Sequence, residues 1–148
     1  MERKVMLIGS IGAGKSTLVK HLLNDKTPAS KTQSLDYNDW LIDTPGEYAE
    51  NPMFYRSLMA TSFETALVIM VQDSTNDRNI FPPGFSSGFP VPCIGVITKI
   101  DHPDAKVVTA QQILQQSLIQ GELWFTSCVT NQGINELRER LWRWRNDK

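Results

Sequence analysis

Two patterns of hydrophobic residues alternate along the chain. The first is a continuous apolar run, which is typical of a strand buried on both faces, and it predicts strands at 5–8, 66–73 and 93–98. Shorter runs predict further strands at 33–36, 40–43 and 123–126, with a turn over 37–39 between the first two. The second pattern places apolar residues every three or four positions and predicts helices at 15–23, 105–119 and 134–145.

The alternation of strands with helices predicts the fold class. Buried strands that are joined through helices form a parallel sheet with helices on both faces. We therefore expect a three-layer α/β fold, with a mostly parallel sheet of about six strands between the helices. The length of 148 residues fits a single domain, 1–148. Ligands in such sheets bind at the carboxyl ends of the strands, so residues at those ends are the first candidates for a site.

Composition and charge argue against several classes of function. The formal net charge is −1, so the chain has no overall positive field that would recruit nucleic acid. The apolar run at 66–71 is far too short to span a bilayer and no secretory signal is visible, so we expect a cytoplasmic protein without a membrane partner. Cys93 and Cys128 are far apart in the sequence and are expected to be reduced thiols.

The segment 9–16 matches the P-loop pattern G-x-x-x-x-G-K-[ST] directly after the first predicted strand. Glycines let the backbone approach a ligand closely, and successive N–H groups then surround phosphates. Lys15 is expected to contact the β- and γ-phosphates, and Ser16 to bind Mg²⁺. The candidate nucleotide-binding residues of this loop are Gly9, Ser10, Gly12, Ala13, Gly14, Lys15, Ser16 and Thr17.

The sequence Asp-Thr-Pro-Gly at 43–46 follows the strand predicted at 40–43. Alone it would be an ordinary turn. Its position after a P-loop predicts that the Asp43 carboxylate holds Mg²⁺ and that the Gly46 N–H contacts the γ-phosphate. The loop beyond Gly46 would then rearrange when the nucleotide is hydrolysed.

The sequence Thr-Lys-Ile-Asp at 98–101 follows the strand predicted at 93–98 and indicates which base is bound. The Asp101 carboxylate can accept hydrogen bonds from guanine N1–H and N2–H₂, and adenine has no such pair of donors. Lys99 can lay its stem along the base, and Thr98 ends the strand. Ser127 and Cys128 follow the strand at 123–126, where backbone N–H groups can contact the base carbonyl oxygen. We therefore expect GTP or GDP, with ATP as the alternative.

These motifs, in this order, resemble those of the small Ras-like P-loop GTPases. A closer match is carried by the segments 31–33, 42–48, 71–73, 81–85 and 94–101. With these segments the chain most closely resembles the ethanolamine- and propanediol-utilisation (EutP/PduV) family of bacterial microcompartment operons, and the resemblance extends from Met6 to about Leu141. The resemblance implies a role in, or alongside, a microcompartment that degrades a small amine or diol.

The catalytic pattern is incomplete at Glu47. Ras-like enzymes typically have a glutamine there, which orients the attacking water. A carboxylate beside a triphosphate is repelled unless it is paired or protonated, so unaided hydrolysis should be slow. The alternative is that Glu47 caps a helix or faces solvent. Thr32 is the candidate second magnesium ligand, with Thr27 and Ser30 as competitors. The candidate catalytic residues are Lys15, Thr32, Gly46 and Glu47.

Two further functions stay open at the level of sequence. One is a phosphotransferase that moves the γ-phosphate to a small acceptor such as acetate, because P-loop folds also support kinases. The other is a non-catalytic localisation or assembly factor that contacts a microcompartment shell or enzyme partner. Its surface would be the Phe81–Phe89 loop or the exposed side of the C-terminal helix, where Trp142 lies away from the apolar stripe. The alternative is that the loop packs on the domain and Trp142 faces solvent.

Overall fold

The computed structural model describes residues 3–24, 35–78 and 80–146, with the backbone alone at 36–38. Within these residues the chain forms six strands and five α-helices. In chain order they are β1 (Lys4–Gly9), α1 (Lys15–Leu22), β2 (Asp36–Asn38), β3 (Leu41–Asp43), α2 (Gly46–Glu50), α3 (Tyr55–Ser62), β4 (Thr65–Asp73), β5 (Cys93–Thr98), α4 (Val107–Ser117), β6 (Leu123–Phe125) and α5 (Ile134–Asn146). Short 3₁₀ helices cover Pro52–Phe54 and Phe85–Gly88.

The described strands form one sheet in the order β2-β3-β1-β4-β5-β6. β2 pairs antiparallel with β3, and every other pair of neighbours is parallel. β1 lies inside the sheet, where Val5 is opposite Leu41 on one side and Leu67 on the other. Hydrophobic clusters cover both faces. The predicted three-layer α/β fold with a mostly parallel sheet is confirmed.

β4 shows why a continuous apolar run marks a strand of this kind. All nine residues of Thr65–Asp73 are buried. Leu67 and Ile69 pack into the cluster that contains the apolar residues of α1 and α5. Val68 and Met70 point to the other face and pack with Leu58 of α3 and Leu114 of α4. Since both faces are covered, the middle of the strand is apolar throughout, and its polar residues, Thr65, Gln72 and Asp73, lie at its two ends.

The hairpin before β3 differs from the prediction. β2 occupies Asp36–Asn38 instead of 33–36, and residues 33 and 34 lie outside the described part of the chain. The turn falls at Asp39 and Trp40 rather than over 37–39, with Asp39 at φ 56°. A short polar segment has no hydrophobic period from which its register can be derived. The contact that holds this turn is distant in sequence, because Lys4 Nζ donates to the Asp39 carbonyl at 2.8 Å.

The helices α2 and α3 have no counterpart in the predicted pattern. α2 has only five residues, begins at Gly46, and buries a single hydrophobic side chain, Ala49. So short a segment has no apolar stripe that could be recognised. α4 is shorter than the helix predicted at 105–119, since Lys106 is non-helical and Leu118 is extended at ψ 104°. The other predicted strands and helices agree with the structure to within one residue at each end.

The phenylalanines of the 81–89 loop belong to the hydrophobic core. Phe81, Phe85 and Phe89 are 2%, 8% and 7% exposed. The Phe85 ring lies 5.4 Å from that of Phe81 and 5.5 Å from that of Phe89, between ring centroids. The interpretation that this loop packs on the domain is confirmed, and the interpretation that its aromatic rings form an exposed docking surface is wrong.

The C-terminal helix packs as its sequence predicts. Ile134, Leu137 and Leu141 are buried, and the half-buried Trp144 joins the same cluster. Trp142 lies on another side of α5 and is 61% exposed. In the described parts of the chain, each helix is too short or too polar to cross a membrane.

We predict that Phe81→Ala lowers the free energy of unfolding by about 3–5 kcal/mol, because it leaves a cavity among packed aromatic rings. Phe63→Ala is the matched control: Phe63 is 74% exposed, and its loss should change stability by no more than about 0.5 kcal/mol. Urea denaturation of both variants measures the difference. Equal stability of the two variants would show that the loop does not contribute to the core.

Candidate functional site

The candidate residues gather at one edge of the sheet. β3, β1, β4, β5 and β6 are parallel, so their carboxyl ends lie on the same side. The residues at those ends are Asp43, Gly9, Asp73, Thr98 and Phe125. Each motif identified in the sequence therefore begins at this edge, where open α/β sheets bind their ligands.

The glycine-rich loop between β1 and α1 needs its glycines. Gly12 and Gly14 have φ of 80° and 93°, values that residues with a side chain rarely adopt. Gly9 has ordinary φ, but a Cβ there would lie 2.8 Å from the Val71 carbonyl oxygen. Ser10 and Ala13 are buried, and the Ala13 N–H donates to the Ser10 carbonyl at 3.1 Å, which closes a turn inside the loop.

Lys15 begins α1 with its side chain folded inward. The residue is 6% exposed, and its Nζ donates to the Ser10 carbonyl at 3.3 Å. Burial lowers the pKa of this ammonium group, while the charges of Asp43 and Glu50 work to raise it. Thr17, two residues further along α1, is exposed. A buried ammonium beside a loop of backbone N–H groups is suited to bind an anion.

Ser16 and Asp43 form the oxygen pair expected of a magnesium site. The Ser16 hydroxyl donates to Asp43 Oδ2 at 2.6 Å, although the two residues are 27 positions apart in sequence. Asp43 is almost fully buried, and the neighbouring Thr44 hydroxyl donates to the Leu7 carbonyl of β1 at 2.8 Å. A hydroxyl and a carboxylate are hard oxygen donors, so this pair fits Mg²⁺. Thr32, Thr27 and Ser30 lie outside the described residues.

Thr98 and Lys99 connect the end of β5 to the glycine-rich loop. The Thr98 hydroxyl donates to the Ala13 carbonyl at 2.8 Å, and Lys99 Nζ donates to the Gly12 carbonyl at 2.9 Å. Lys99 has φ 61°, the left-handed region that side-chain-bearing residues seldom occupy. Such strain persists only where surrounding contacts hold it, and it is frequent at functional sites.

Lys99 has a second partner, Asp73, at the end of β4. The ammonium and Asp73 Oδ2 are 2.8 Å apart, and Asp73 Oδ1 accepts hydrogen bonds from the Thr75 N–H at 2.8 Å and the Thr75 hydroxyl at 2.6 Å. Burial works to raise the pKa of Asp73, but the hydrogen bonds from Lys99 and Thr75 outweigh it, and the pKa is lowered. Asp73 is thus an ionised anchor for Lys99.

Asp101 is exposed beside the loop that follows β6. The Ser127 hydroxyl donates to Asp101 Oδ1 at 2.6 Å. The Ser127 oxygen in turn accepts the N–H groups of Val129 and Thr130 at 3.2 and 3.0 Å, so the loop orients the hydroxyl. Cys128 is half-buried, and burial together with the charge of Asp101 raises the pKa of its thiol to about 11.

The segment after β3 lies against the glycine-rich loop. A Cβ on Gly46 would fall 2.4 Å from the Ile11 nitrogen, so only glycine allows this approach. Glu47 is exposed, whereas Glu50 places its carboxylate against the loop: Oε2 accepts the Ile11 N–H at 3.4 Å, and Oε1 pairs with the Arg78 guanidinium.

Sequence reasoning missed Asp73, Glu50 and Arg78 as site residues. Asp73 could have been found, because it follows a buried strand at the same edge as Asp43. Glu50 and Arg78 have no comparable signal, since they come together from separate segments only in the folded chain.

The fold and the loop define the class of protein. A mostly parallel sheet with a P-loop between its first strand and helix is a Ras-like P-loop nucleoside triphosphatase fold. The chain belongs to the ethanolamine- and propanediol-utilisation family: the family model described as "PduV-EutP: Ethanolamine utilisation - propanediol utilisation" matches residues 2–143. The resemblance inferred from the motifs is confirmed.

Individual proteins support this assignment. Over 138 residues the chain is 30% identical to "Propanediol utilization protein PduV" of Citrobacter freundii. The aligned region covers 91% of this chain and 90% of that protein. Over 141 residues it is 32% identical to "Probable acetate kinase EutP" of Escherichia coli, with 94% and 89% covered. The solved structure of Methanosarcina barkeri Roco2 RocCORdC bound to GDP matches with a TM-score of 0.58 at 22% identity, over 96% of this chain and 48% of that one. This last likeness shows the fold alone.

We predict that Asp73→Asn lowers the free energy of unfolding at pH 7 by about 1–3 kcal/mol, because it removes the buried negative charge that pairs with Lys99. The folded pKa of Asp73 is lowered from 3.8, so its stabilisation is complete above that value and is lost as the pH falls through the folded pKa. The difference between wild type and variant should therefore shrink below about pH 4.

Asp77→Asn, at an exposed position in the same loop, is the control. Urea denaturation at a series of pH values measures both variants against wild type. A difference for Asp73→Asn that stays constant down to pH 2 would contradict this role of the ionised carboxylate.

Proposed function

We propose that this chain is a guanine-nucleotide-binding protein that requires Mg²⁺ and hydrolyses GTP slowly. The observation that carries the proposal is the connection between the base side and the phosphate side of the site. Asp101 is oriented by the Ser127 hydroxyl, and Lys99, two residues before it, bonds the Gly12 carbonyl of the P-loop. Residues 99–101 thus connect the carboxylate that suits guanine with the loop that suits phosphates.

The phosphates would lie over the P-loop and the start of α1. The left-handed conformations of Gly12 and Gly14 suit a loop whose N–H groups surround phosphates, and Lys15 would supply the positive charge. Ser16 and Asp43 would hold Mg²⁺, with Thr32 as the further ligand expected from the sequence. When bound, the ion neutralises charge on the β- and γ-phosphates. The remaining nucleotide contacts assigned here are Gly9, Ser10, Ala13, Thr17, Thr98 and Cys128.

The choice of guanine over adenine rests on Asp101. A carboxylate accepts hydrogen bonds from guanine N1–H and N2–H₂, while adenine presents an acceptor at N1 and no amino group at C2. ATP would leave the carboxylate without these donors. ATP is therefore the alternative that this proposal disfavours.

Slow hydrolysis follows from the residue at the end of the Asp-Thr-Pro-Gly motif. The Gly46 N–H is the candidate contact for the γ-phosphate, and the next side chain is the exposed carboxylate of Glu47. A carboxylate at this position is repelled by the triphosphate, so it is poorly suited to orient water. Gln72 cannot take the place of the water-orienting glutamine, because its amide is buried and donates to the Asp73 and Asn76 carbonyls.

The family suggests where the activity is used. Its relatives carry names of ethanolamine and propanediol utilisation, and we assign this chain to cytoplasmic metabolism associated with a bacterial microcompartment. A shell or enzyme partner would contact the exposed side of α5 around Trp142, since the rings of Phe81, Phe85 and Phe89 are in the core.

The second candidate function is transfer of the γ-phosphate to a small carboxylate. Two observations favour it: the name of the E. coli relative, "Probable acetate kinase EutP", and the exposed Glu47 where a water-orienting glutamine is usual. In such a transfer an acetate oxygen attacks the γ-phosphorus, the bond to the β,γ-bridging oxygen breaks, and acetyl phosphate and the nucleoside diphosphate form.

Phosphate release and acceptor dependence separate the two functions. We predict that GTP is hydrolysed at a rate on the order of 5 × 10⁻⁴ s⁻¹ or below, the range of an unaided Ras-like enzyme. Millimolar acetate should leave nucleotide consumption unchanged, and hydroxylamine should trap no acetyl phosphate. Lys15→Ala gives the background rate. If nucleotide consumption requires acetate and yields acetyl phosphate, the proposal of hydrolysis is wrong and phosphotransfer is the function.

We predict that Asp101→Asn weakens GTP binding by about 10- to 100-fold, the loss of one or two charge-assisted hydrogen bonds. Xanthine has a carbonyl at C2, which accepts the asparagine amide, so the variant should bind xanthosine triphosphate more tightly than GTP. Asp104→Asn, at an exposed position nearby, should leave both affinities unchanged. Unchanged GTP affinity in Asp101→Asn would show that Asp101 does not contact the base.

A further inference from the structure

An anion of the protein itself lies against the phosphate-binding loop. Glu50, the last residue of α2, places Oε2 3.4 Å from the Ile11 nitrogen within the P-loop, and Ile11 donates its N–H to this oxygen. The Glu50 charge also acts on the buried Lys15 ammonium. The carboxylate therefore bonds a backbone N–H of the P-loop and acts on Lys15, which the proposed function gives to the nucleotide's phosphates.

The contacts of this carboxylate overlap with those expected of the terminal phosphate. α2 begins at Gly46, the candidate contact for the γ-phosphate, and Gly46 packs directly on Ile11. Glu50 reaches the same loop residue from the other end of α2. A terminal phosphate that approached Gly46 and Ile11 would compete with the Glu50 carboxylate for one N–H donor.

The Glu50 carboxylate has a cationic partner in Arg78. The guanidinium pairs with Glu50 Oε1, and the Arg78 side chain is 62% exposed, so it can move without loss of packing. Its backbone is anchored: the Arg78 N–H donates to Asn76 Oδ1 at 2.8 Å, and the buried Gln72 amide donates to the Asn76 carbonyl at 3.2 Å. A turn after β4 that is held by hydrogen bonds thus presents an exposed guanidinium to Glu50, which itself bonds the P-loop.

We propose that Arg78 binds the terminal phosphate of the nucleoside triphosphate and exchanges it for Glu50 when only the diphosphate is bound. The inference rests on the proposed function, because it assumes a nucleotide in the P-loop. A guanidinium binds carboxylate and phosphate oxygens in the same two-point geometry, so either anion satisfies it. A diphosphate lacks the terminal group and leaves Arg78 on Glu50. Arg78 therefore makes the site bind the triphosphate more tightly than it would without this guanidinium.

Other described cations near the loop already have defined partners there. Lys99 Nζ is bonded to Asp73 and to the Gly12 carbonyl, on the base side of the loop. Lys15 lies buried under the loop, bonded to Ser10. Arg78 differs from both lysines in that its carboxylate partner, Glu50, itself bonds an N–H of the P-loop.

The test compares a non-hydrolysable GTP analogue with GDP, both with Mg²⁺, by calorimetric titration of the full chain. Arg78→Ala should weaken analogue binding about tenfold or more and leave GDP binding nearly unchanged, because only the triphosphate has the terminal group. Glu50→Gln should have the opposite effect and strengthen analogue binding, since it removes the competing anion. Arg143→Ala, at an exposed position on α5, is the control, and thermal melting checks the folding of each variant.

Arg78→Ala and Glu50→Gln together distinguish recognition of the terminal phosphate from a purely structural role of the ion pair. If Arg78 and Glu50 only hold α2 against the P-loop, breaking the pair from either side shifts analogue affinity in the same direction. That result, or an unchanged ratio of analogue to GDP affinity in Arg78→Ala, overturns the inference while GDP binding still supports the proposed function. A wild-type chain that binds neither nucleotide overturns both.

Discussion

The site depends on two hydrogen bonds that fasten the glycine-rich loop to the end of β5. Thr98 bonds the Ala13 carbonyl and Lys99 bonds the Gly12 carbonyl, across more than 80 residues of sequence. In a trans peptide the carbonyl and the next N–H point in opposite directions. With the Ala13 carbonyl held by β5, the Gly14 N–H is turned away from the sheet, the orientation that a phosphate requires.

Lys99 needs further partners to hold it in the conformation that makes its hydrogen bond to the loop. Lys99 adopts a left-handed conformation, and its ammonium is held by the ionised Asp73 at the end of β4. Asp73 is held by Thr75 in turn. Three neighbouring strands, β1, β4 and β5, thus contribute to one hydrogen-bonded arrangement, and Glu50 of α2 joins Arg78 to the same loop. A loop held in this way, beside the ion pair that we propose to exchange, is suited to distinguish states of a bound nucleotide.

The sequence was most informative where chemistry demands fixed spacing. Gly9, Lys15 and Ser16 follow from the P-loop pattern, and their strand–loop–helix setting was predicted from the apolar run and stripe on either side. The buried strands were predictable because both faces are covered, as all nine buried residues of β4 show. The hairpin register was not, since β2 is short and polar and its turn is held by Lys4 from outside the segment.

The region between β3 and β4 shows the limit of local patterns. Glu47 was a candidate because it follows the Asp-Thr-Pro-Gly motif. The carboxylate that bonds the P-loop belongs instead to Glu50, three residues later. The contact depends on the fit of Gly46 against Ile11, which no pattern of hydrophobic residues encodes. In the same way, the burial of Phe81, Phe85 and Phe89 depends on a core that the rest of the chain supplies.

The choice of guanine is best tested by calorimetric titration of the wild-type chain with GTP, GDP and ATP in the presence of Mg²⁺. We predict that both guanine nucleotides bind at least a hundredfold more tightly than ATP, a difference of about 2.7 kcal/mol. ATP binding as tight as that of GTP would contradict the assignment of Asp101 to the base, and with it the proposal that this is a guanine-nucleotide-binding protein.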